Sequence, residues 1–344
     1  MPQSTQPATG NGSARAPLQM LACAPAESLA KRVASHLNLD LVPAKETWFA
    51  CGEGKFEIGA NVRGSDLYIF QNVIAPGDAR STYDRFVMLL HAVEAASLAD
   101  AQYVTAVVPY FPGARQDKRK DRVREGISAG LFARCLQDAG AKRVIALEIH
   151  NEAIGGMFNP AQCRLENLYL YGSIAPWLKR RGFAGDVVAS PDVGGAERAR
   201  HYAETLSSRL AVLSKVRDYS TANRVVNSTL IGEVNGSDVL LVDDIVDTAG
   251  SVVAAVEELK SHGAKDITVA CAHPVMSAPA WERLGKLSAR AAAEGWKFNV
   301  VGTSSIEHPD APAYYHSFDA AELLSRVIRG VNTRGSVTGA QHDR

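Results

Sequence analysis

One stretch in the second half of the chain contains the pattern of a buried strand, an acidic turn and a helix in direct succession. The apolar run 239–242 is followed by Asp243, Asp244 and Asp247, and an amphipathic pattern covers 251–259. A helix that begins after such a turn presents backbone N–H groups and the positive end of its dipole, which together suit a phosphate. An isolated Asp-Thr-x-Gly would fit an ordinary N-capped helix, but two adjacent acids followed by a third favour a ligand site.

The side chains of this turn differ in what they can bind. Asp247 and Thr248 are short and can cap the helix, and Gly250 lets the backbone come close to a ligand. Asp243 and Asp244 would repel a phosphate, so they suit sugar hydroxyls or a divalent cation beside it.

The order of residues here resembles the phosphoribosyl diphosphate binding loop of the type I phosphoribosyltransferase fold. Two apolar residues and two acids are followed by two apolar residues and then by Asp-Thr-Ala-Gly-Ser. The resemblance implies that the loop holds a ribose 5-phosphate. The residues implied to contact it are Asp243, Asp244, Asp247, Thr248, Ala249, Gly250 and Ser251.

Apolar runs alternate with helical patterns along most of the chain, which predicts an α/β protein with parallel sheets covered by helices on both faces. Predicted strands cover 18–23, 55–58, 67–73, 105–110, 143–150, 186–190, 211–213, 239–242, 267–273 and 298–303. Predicted helices cover 26–37, 83–98, 129–139, 174–179, 196–206, 251–259, 281–293 and 319–331.

An internal echo predicts two similar domains. Gly-Ala-Lys at 140–142 and at 263–265 precedes an apolar strand that ends at His150 or His273 with the same spacing, and each Gly is well placed as a helix C-cap. We expect His273 to be structural. The predicted divisions are a disordered tail at 1–16, an N-terminal domain at 17–168, a C-terminal domain at 169–332 and a second disordered tail at 333–344.

The bulk composition excludes several classes of protein. The formal net charge is 0, so no general attraction to nucleic acid or anionic membrane is implied. The 5 cysteines show no C-x-x-C spacing and lie on mostly apolar segments, which indicates reduced thiols in the cytoplasm. No apolar run approaches the roughly 20 residues of a membrane span, and no secretory signal pattern opens the chain.

A basic segment follows the predicted strand at 105–110. A Pro-Gly turn leads to Arg115, Gln116, Asp117 and Lys118. Ligands gather at the carboxyl ends of strands in open α/β sheets, and guanidinium and ammonium groups there suit polyphosphate. A solvated loop or a nucleic-acid contact fits the same residues, and their chemistry alone leaves these alternatives open.

Three more strand ends carry candidate residues. His150 suits a metal or a phosphate but also a structural hydrogen bond, and Asp192 suits Mg²⁺ but also a turn or a helix cap. Lys215 and Arg217 share one side of an extended chain before the polar stretch 218–227, so they could close over a triphosphate. Neither a P-loop nor a dinucleotide-binding fingerprint occurs in the sequence.

In order and spacing, these segments resemble the ribose-phosphate diphosphokinases, also called phosphoribosyl diphosphate synthetases. The resemblance spans roughly 45–330 and rests on the segments 61–64, 109–118, 148–158, 190–200 and 243–251. It implies transfer of the diphosphoryl group of MgATP to O1 of ribose 5-phosphate, giving 5-phosphoribosyl 1-diphosphate and AMP. It also implies two domains of the type I phosphoribosyltransferase fold and homo-oligomers in which dimers build hexamers.

The resemblance further implies roles for individual residues. ATP would contact Phe49, Cys51, Gly52, Glu53, Arg115, Gln116, Asp117 and His150, with Phe49 and Glu53 coming from the neighbouring subunit. Mg²⁺ would be held by His150 and Asp192. Lys215 and Arg217 would be catalytic cations on a flexible loop, with Arg217 also binding ribose 5-phosphate.

The chain departs from the family pattern at Cys51, at Glu148, at Lys118, where Arg is common, and in the slightly longer segment 76–104. Cys51 stands where the nucleotide loop usually carries Asp, and Glu148 stands where Asp usually precedes the histidine. Two alternatives therefore stay open: a phosphoribosyltransferase that uses the same loop, and a catalytically weak or regulatory relative.

Overall fold

The computed structural model describes residues 13–119, 123–217 and 225–341. A parallel sheet of the first half contains, in order across the sheet, β1 (Leu18–Ala22), β4 (Asp66–Phe70), β5 (Tyr103–Val107), β6 (Arg143–Leu147) and β7 (Arg164–Leu168). Strands β2 (Ala44–Trp48) and β3 (Gly54–Ile58) form a separate antiparallel hairpin.

A second sheet belongs to the second half. It contains, in order across the sheet, β10 (Val225–Ile231), β9 (Arg209–Arg217), β8 (Val187–Ser190), β11 (Val239–Val246), β12 (Ile267–Pro274), β13 (Phe298–Thr303) and β14 (Tyr315–Phe318). Strand β10 pairs antiparallel with β9, and the other neighbours pair in parallel.

Helices cover the faces of both sheets. Those of the first half are α1 (Glu27–Leu37), α2 (Thr82–Leu98) and α3 (Ser128–Asp138). Those of the second half are α4 (Tyr171–Arg180), α5 (Ala196–Leu206), α6 (Gly250–Ser261), α7 (Ala280–Glu294), α8 (Ala321–Asn332) and α9 (Val337–Ala340). Within the described ranges, no helix is both long and apolar enough to cross a lipid bilayer.

The predicted α/β architecture of mainly parallel sheets flanked by helices is confirmed. The echo between the halves is also present in the structure, because Gly140 follows α3 with φ 108° and Gly263 follows α6 with φ 84°. In both places the left-handed backbone that ends the helix favours a residue without a Cβ.

The strands that the sequence did not predict are β2, β7, β10 and β14. Three of these lie at sheet edges and β2 lies in the separate hairpin, so each has partly exposed side chains instead of a continuous apolar run. Part of the expected polar loop 218–227 is strand, since β10 begins at Val225; residues 218–224 lie outside the described ranges.

One hydrophobic core joins the two halves. It contains Tyr68 and Ile145 from the first sheet and Leu240 and Val301 from the second, together with buried side chains of α1, α4, α5 and α8. Helix α8 also packs against α1, so the last long helix of the chain covers part of the first half. The orientation of the two sheets is therefore determined by a shared apolar layer.

The ends of the chain are ordered further outward than predicted. Arg15 donates to the fully buried Asp66 at 2.8 Å, and Asn332 donates to the same carboxylate at 2.9 Å. Near the other end, the side chain of Gln341 accepts a hydrogen bond from the Tyr169 N–H at 2.9 Å. The disorder predicted for 1–16 and 333–344 is wrong for Arg15 and Gln341, because each forms a hydrogen bond with a group in the folded part of the chain. Residues 1–12 and 342–344 lie outside the described ranges.

His273, predicted to be structural, bridges the two halves. Its imidazole is 3 % exposed, Nε2 donates to the Leu147 carbonyl at 2.8 Å, and Nδ1 lies 3.1 Å from Ser305 Oγ. Burial lowers the pKa of His273 to about 4. The folded protein therefore holds this ring in its neutral form over a pH range in which the unfolded chain takes up a proton.

We expect a pH-dependent stability term from His273. The ordinary pKa of histidine is higher than the folded value, so the term is fully present above about pH 6.5 and is lost as the pH falls toward 4. It amounts to on the order of 3 kcal/mol. Urea unfolding of the wild type and His273→Gln at several pH values should show that the variant loses less unfolding free energy as the pH falls. Two curves of the same shape would contradict the assignment.

Candidate active site

The acidic turn connects β11 to α6. Strand β11 continues to Val246, so Asp243 and Asp244 lie inside the strand, where the sequence placed them just after it; pairing with β12 extends the strand. Ala249 precedes α6 with a left-handed backbone, φ 59°. The first turn of α6 brings N–H groups that have no helical partner to this edge of the sheet.

The adjacent acids Asp243 and Asp244 have opposite pKa shifts. Burial, followed by the negative charge of Asp244, raises the pKa of Asp243 to about 8. Burial alone would also raise the pKa of Asp244, but the hydrogen bond from His150 and the positive charge of Arg198 outweigh it and lower that pKa. The two shifts oppose full ionisation of the pair and favour the negative charge on Asp244, beside His150 and Arg198.

A chain of polar and charged groups links Asp244 to the first half, and its side chains are buried or mostly buried except that of His150, which is 43 % exposed. Asp244 Oδ2 lies 2.6 Å from His150 Nδ1, and Asp244 Oδ1 lies 3.8 Å from Arg198 Nη1. Arg198 Nε donates to Glu148 Oε2 at 3.2 Å, and Glu148 Oε1 accepts from the Leu170 N–H at 2.7 Å. We call Glu148, Arg198, Asp244 and His150 the buried ion chain. The hydrogen bond between His150 and Asp244 raises the pKa of His150.

A second contact between the halves lies at the acidic turn itself. Arg115 Nη1 lies 2.9 Å from Asp247 Oδ2. Arg115 follows the carboxyl end of β5 in the first half, and Asp247 follows that of β11 in the second. The carboxyl edges of the two sheets thus face each other across a short gap.

Two adjoining cavities open at this gap, and both are lined by Arg115, His150, Asp192, Asp243 and Asp244. The loop cavity, about 470 Å³, also includes Asp247, Thr248, Ala249 and Ser251. The junction cavity, about 690 Å³, extends to Asp117, Lys118, Asn151, Glu197 and His201. A wider groove of about 830 Å³ between α1 and residues 38–46 shares no lining residue with either cavity and mixes single charges with apolar side chains.

The three consecutive residues Arg115, Gln116 and Asp117 have different surroundings. Arg115 lines both cavities, and Asp117 lines the junction cavity while it accepts a hydrogen bond from Asn151. Gln116 accepts a hydrogen bond from the Ser128 hydroxyl and is not among the lining residues of either cavity.

The other residues implied to bind nucleotide lie at the tip of the β2–β3 hairpin. Phe49 is 48 % exposed, Cys51 is an exposed free thiol, and Gly52 has φ 92°. Phe49, Cys51, Gly52 and Glu53 do not line the loop or junction cavity of their own chain.

Asp192 fits both of its sequence interpretations. Its Oδ1 accepts a hydrogen bond from the Gly195 N–H at 3.0 Å, as a turn cap would, and the residue lines both cavities. No group of three or more His, Cys, Asp or Glu side chains suited to a metal ion occurs among the residues that the structure describes.

Lys215 and Arg217 lie in strand β9, where the sequence predicted a flexible loop; pairing with β10 makes this segment a strand. Strand β8 ends at Ser190, which is opposite Val212, so β9 runs past the carboxyl end of its neighbour. The backbone of Lys215 is three residues further on, roughly 10 Å beyond that end. The side chains of both residues lie outside what the structure describes.

Sequence reasoning did not find Arg198 and treated Glu148 only as a departure from a pattern. The signal was indirect: two adjacent acids at a buried strand end need a buried positive charge nearby. A lone arginine on a helix gives no indication of which acid it will meet in the fold.

Both halves of the chain match family models. Residues 18–140 match the N-terminal domain of ribose phosphate pyrophosphokinase, and residues 170–306 match the phosphoribosyl transferase domain.

Curated relatives are similar over nearly the whole chain. The ribose-phosphate pyrophosphokinase of Wolinella succinogenes is 40% identical over 307 residues, which covers 89% of this chain and 93% of that protein. Its counterpart in Bacillus subtilis is 34% identical over 312 residues, which covers 90% and 92%. The crystal structure of phosphoribosylpyrophosphate synthetase from Mycobacterium smegmatis superposes with a TM-score of 0.81 at 30% identity and covers 93% of this chain and 100% of that one.

The buried ion chain yields a stability prediction. Arg198→Met leaves Glu148 without its cation and Asp244 with His150 alone, and should cost about 3–5 kcal/mol of unfolding free energy. Arg200→Met on the same helix removes an exposed pair with Glu204 and should cost under about 1 kcal/mol. Denaturant unfolding of both variants makes the comparison. Equal losses would contradict the role of the buried chain.

Proposed function

Because the chain belongs to the ribose-phosphate pyrophosphokinase family, we propose that it transfers the diphosphoryl group of MgATP to O1 of ribose 5-phosphate, giving 5-phosphoribosyl 1-diphosphate and AMP. The observation that carries the proposal is the 2.9 Å contact between Arg115 of the first half and Asp247 of the second. A nucleotide side and a sugar-phosphate side can then share one cleft.

The ribose 5-phosphate site is proposed at the loop cavity. Amide groups at the start of α6 and the Thr248 and Ser251 hydroxyls suit the 5-phosphate, because they donate hydrogen bonds without adding negative charge. Asp243 and Asp244 suit the ribose hydroxyls. Protonated Asp243 can donate a hydrogen bond and ionised Asp244 can accept one.

The triphosphate is proposed to bind between the first half and this loop. Arg115 can form a bidentate contact with phosphate oxygens once it exchanges Asp247 for the ligand. Lys118 lines the junction cavity and adds a second positive charge, and His150 lies between the two cavities. Gln116 would have to leave Ser128 to reach the nucleotide.

The acidic lining fits a divalent cation that accompanies ATP. Asp192, Asp243, Asp244 and Asp247 line the loop cavity, and their carboxylates would repel a bare triphosphate. His150 and Asp192 would hold Mg²⁺, His150 through Nε2, because its Nδ1 is engaged with Asp244 as the ring of a metal-ligating histidine often is. Water and phosphate oxygens would complete the shell, as Mg²⁺ prefers. When bound, Mg²⁺ supplies charge neutralisation on the phosphates.

The proposed reaction asks the protein for positioning and charge rather than for a covalent nucleophile. The O1 hydroxyl of ribose 5-phosphate attacks the β-phosphorus of ATP and releases its proton to solvent. A bond forms between O1 and that phosphorus, and the bond from it to the α,β-bridging oxygen breaks. AMP leaves with the bridging oxygen. Lys215 and Arg217, the proposed catalytic cations, would neutralise the leaving phosphate, and Arg217 would also contact ribose 5-phosphate.

The purine site is proposed to be completed by a neighbouring subunit. The exposed ring of Phe49 suits stacking on a base. Cys51, Gly52 and Glu53 follow it in the same turn between β2 and β3. We propose a homo-oligomer built from dimers that form a hexamer, acting in the cytoplasm. Cys51 offers no carboxylate to the base, so purine preference is to be measured directly.

The direct test is product analysis. Full-length protein with ATP, ribose 5-phosphate and Mg²⁺ should form AMP and 5-phosphoribosyl 1-diphosphate in equal amounts, and omission of ribose 5-phosphate should abolish AMP. A parallel reaction with 5-phosphoribosyl 1-diphosphate and a purine base tests the transferase alternative. Consumption of the diphosphate without AMP formation from ATP would contradict the proposal.

A metal-dependence prediction concerns Asp192. Asp192→Asn removes a charged ligand and should weaken Mn²⁺ binding, measured by electron paramagnetic resonance, about tenfold or more. Asp186→Asn near the opposite end of β8 is the control, because the Asp186 side chain accepts a hydrogen bond from the Asp238 N–H and the amide of the variant can still accept it. Equal metal affinity in the two variants would refute the ligand assignment.

A further inference from the structure

We propose that Arg283 is a positioning residue for the loop 247–251 and that it controls ribose 5-phosphate affinity from behind that loop. The inference rests on the proposed function of this site. Arg283 lies on α7, its Nη1 donates to the Thr248 carbonyl at 2.9 Å, and it is not part of the lining of the loop cavity. Thr248 and Ala249 do line that cavity, so the arginine reaches the loop from the other side.

The contact sets the direction of one peptide group. The carbonyl of Thr248 and the N–H of Ala249 belong to the same trans peptide plane and point in opposite directions. Arg283 binds the carbonyl and is outside the lining of the loop cavity, so a trans peptide held in this way directs the Ala249 N–H toward the cavity. An N–H in that direction is what a phosphate requires, whereas a carbonyl there would repel it.

The same contact accounts for the backbone of Ala249. Its φ of 59° is unfavourable for a residue with a Cβ, so the loop needs an external group to hold it. A charged donor on a carbonyl oxygen is stronger than a neutral one. The guanidinium therefore stabilises the strained turn in the ligand-free protein. Ligand binding then does not have to supply the free energy of ordering that turn.

Gly250 leaves space for the same guanidinium. A Cβ at this position would lie 3.3 Å from Arg283 Nη1, closer than a side chain normally packs. The nearest side-chain atom to such a Cβ belongs to Arg283. A glycine at 250 thus leaves room for the guanidinium behind the loop.

The positive charge adds a second effect. Arg283 lies beside the first turn of α6, where the helix dipole already favours an anion. Both effects act on the sugar phosphate and not on the nucleotide, whose proposed ligands lie across the cleft.

The test compares Arg283→Met, which keeps the apolar stem, with Arg283→Lys, which keeps a charged donor. Arg290→Met is the matched control, because Arg290 lies on the same helix and bridges to α6 through Glu257 without touching the loop. Calorimetric titration of the full chain with ribose 5-phosphate should show affinity about tenfold weaker for Arg283→Met, equal to about 1.4 kcal/mol. Arg283→Lys should stay within about threefold of wild type, and Arg290→Met should equal it.

Steady-state kinetics separates positioning from loss of structure. The KM for ribose 5-phosphate should rise in Arg283→Met while kcat and the KM for ATP stay within about twofold of wild type. Wild-type affinity in Arg283→Met would overturn the inference, and so would an equal loss in Arg290→Met or an equal rise of both KM values. If the wild type binds ribose 5-phosphate but forms no AMP, the proposed reaction fails while the titration still decides the role of Arg283.

Discussion

The buried ion chain of Glu148, Arg198, Asp244 and His150 is the constraint on which the rest of the site depends. Glu148, Arg198 and Asp244 would each be costly to bury alone, and two of the four members come from each half of the molecule, so the halves can associate tightly only in the arrangement that pairs them. The shared apolar layer supplies most of the driving force for that association, but apolar contacts alone tolerate sliding. Charge pairing selects one orientation, and in it the carboxyl edges of the two sheets face each other.

That orientation also explains why the cleft is acidic although its proposed substrates are anions. Three of the four acids of the loop cavity are compensated in the ligand-free protein: Asp244 pairs with His150 and Arg198, Asp247 pairs with Arg115, and burial beside Asp244 raises the pKa of Asp243. The negative charge of these three acids is therefore largely compensated before any substrate binds. Substrate phosphates and their cation would enter together, which suits a reaction whose main requirements are alignment and charge balance.

Local patterns predicted most of the fold, because strands buried on both faces and amphipathic helices leave periodic signals. The turn after β11 was predicted for the same reason, since its residues are consecutive. Edge strands such as β7 and β14 were missed because half-exposed strands lack an apolar run. Arg198 and Arg283 were missed for a different reason, because their partners are distant in the sequence. Arg283 contacts Thr248, 35 positions away, and Arg198 contacts Glu148 of the first half and Asp244 of the second. The cleft itself is a property of how the halves pack, which no single segment encodes.

The most direct test of a cleft built within one chain is complementation between two inactive variants. Arg115→Ala and Asp247→Ala each remove one side of the contact that joins the halves. If one chain supplies both sides, every cleft in a mixed oligomer carries one defect, and coexpressed variants should be no more active than either alone. If the cleft instead forms between chains, mixed dimers contain one intact site, and activity should recover to roughly one quarter of wild type. Such a recovery would contradict this account of the active site.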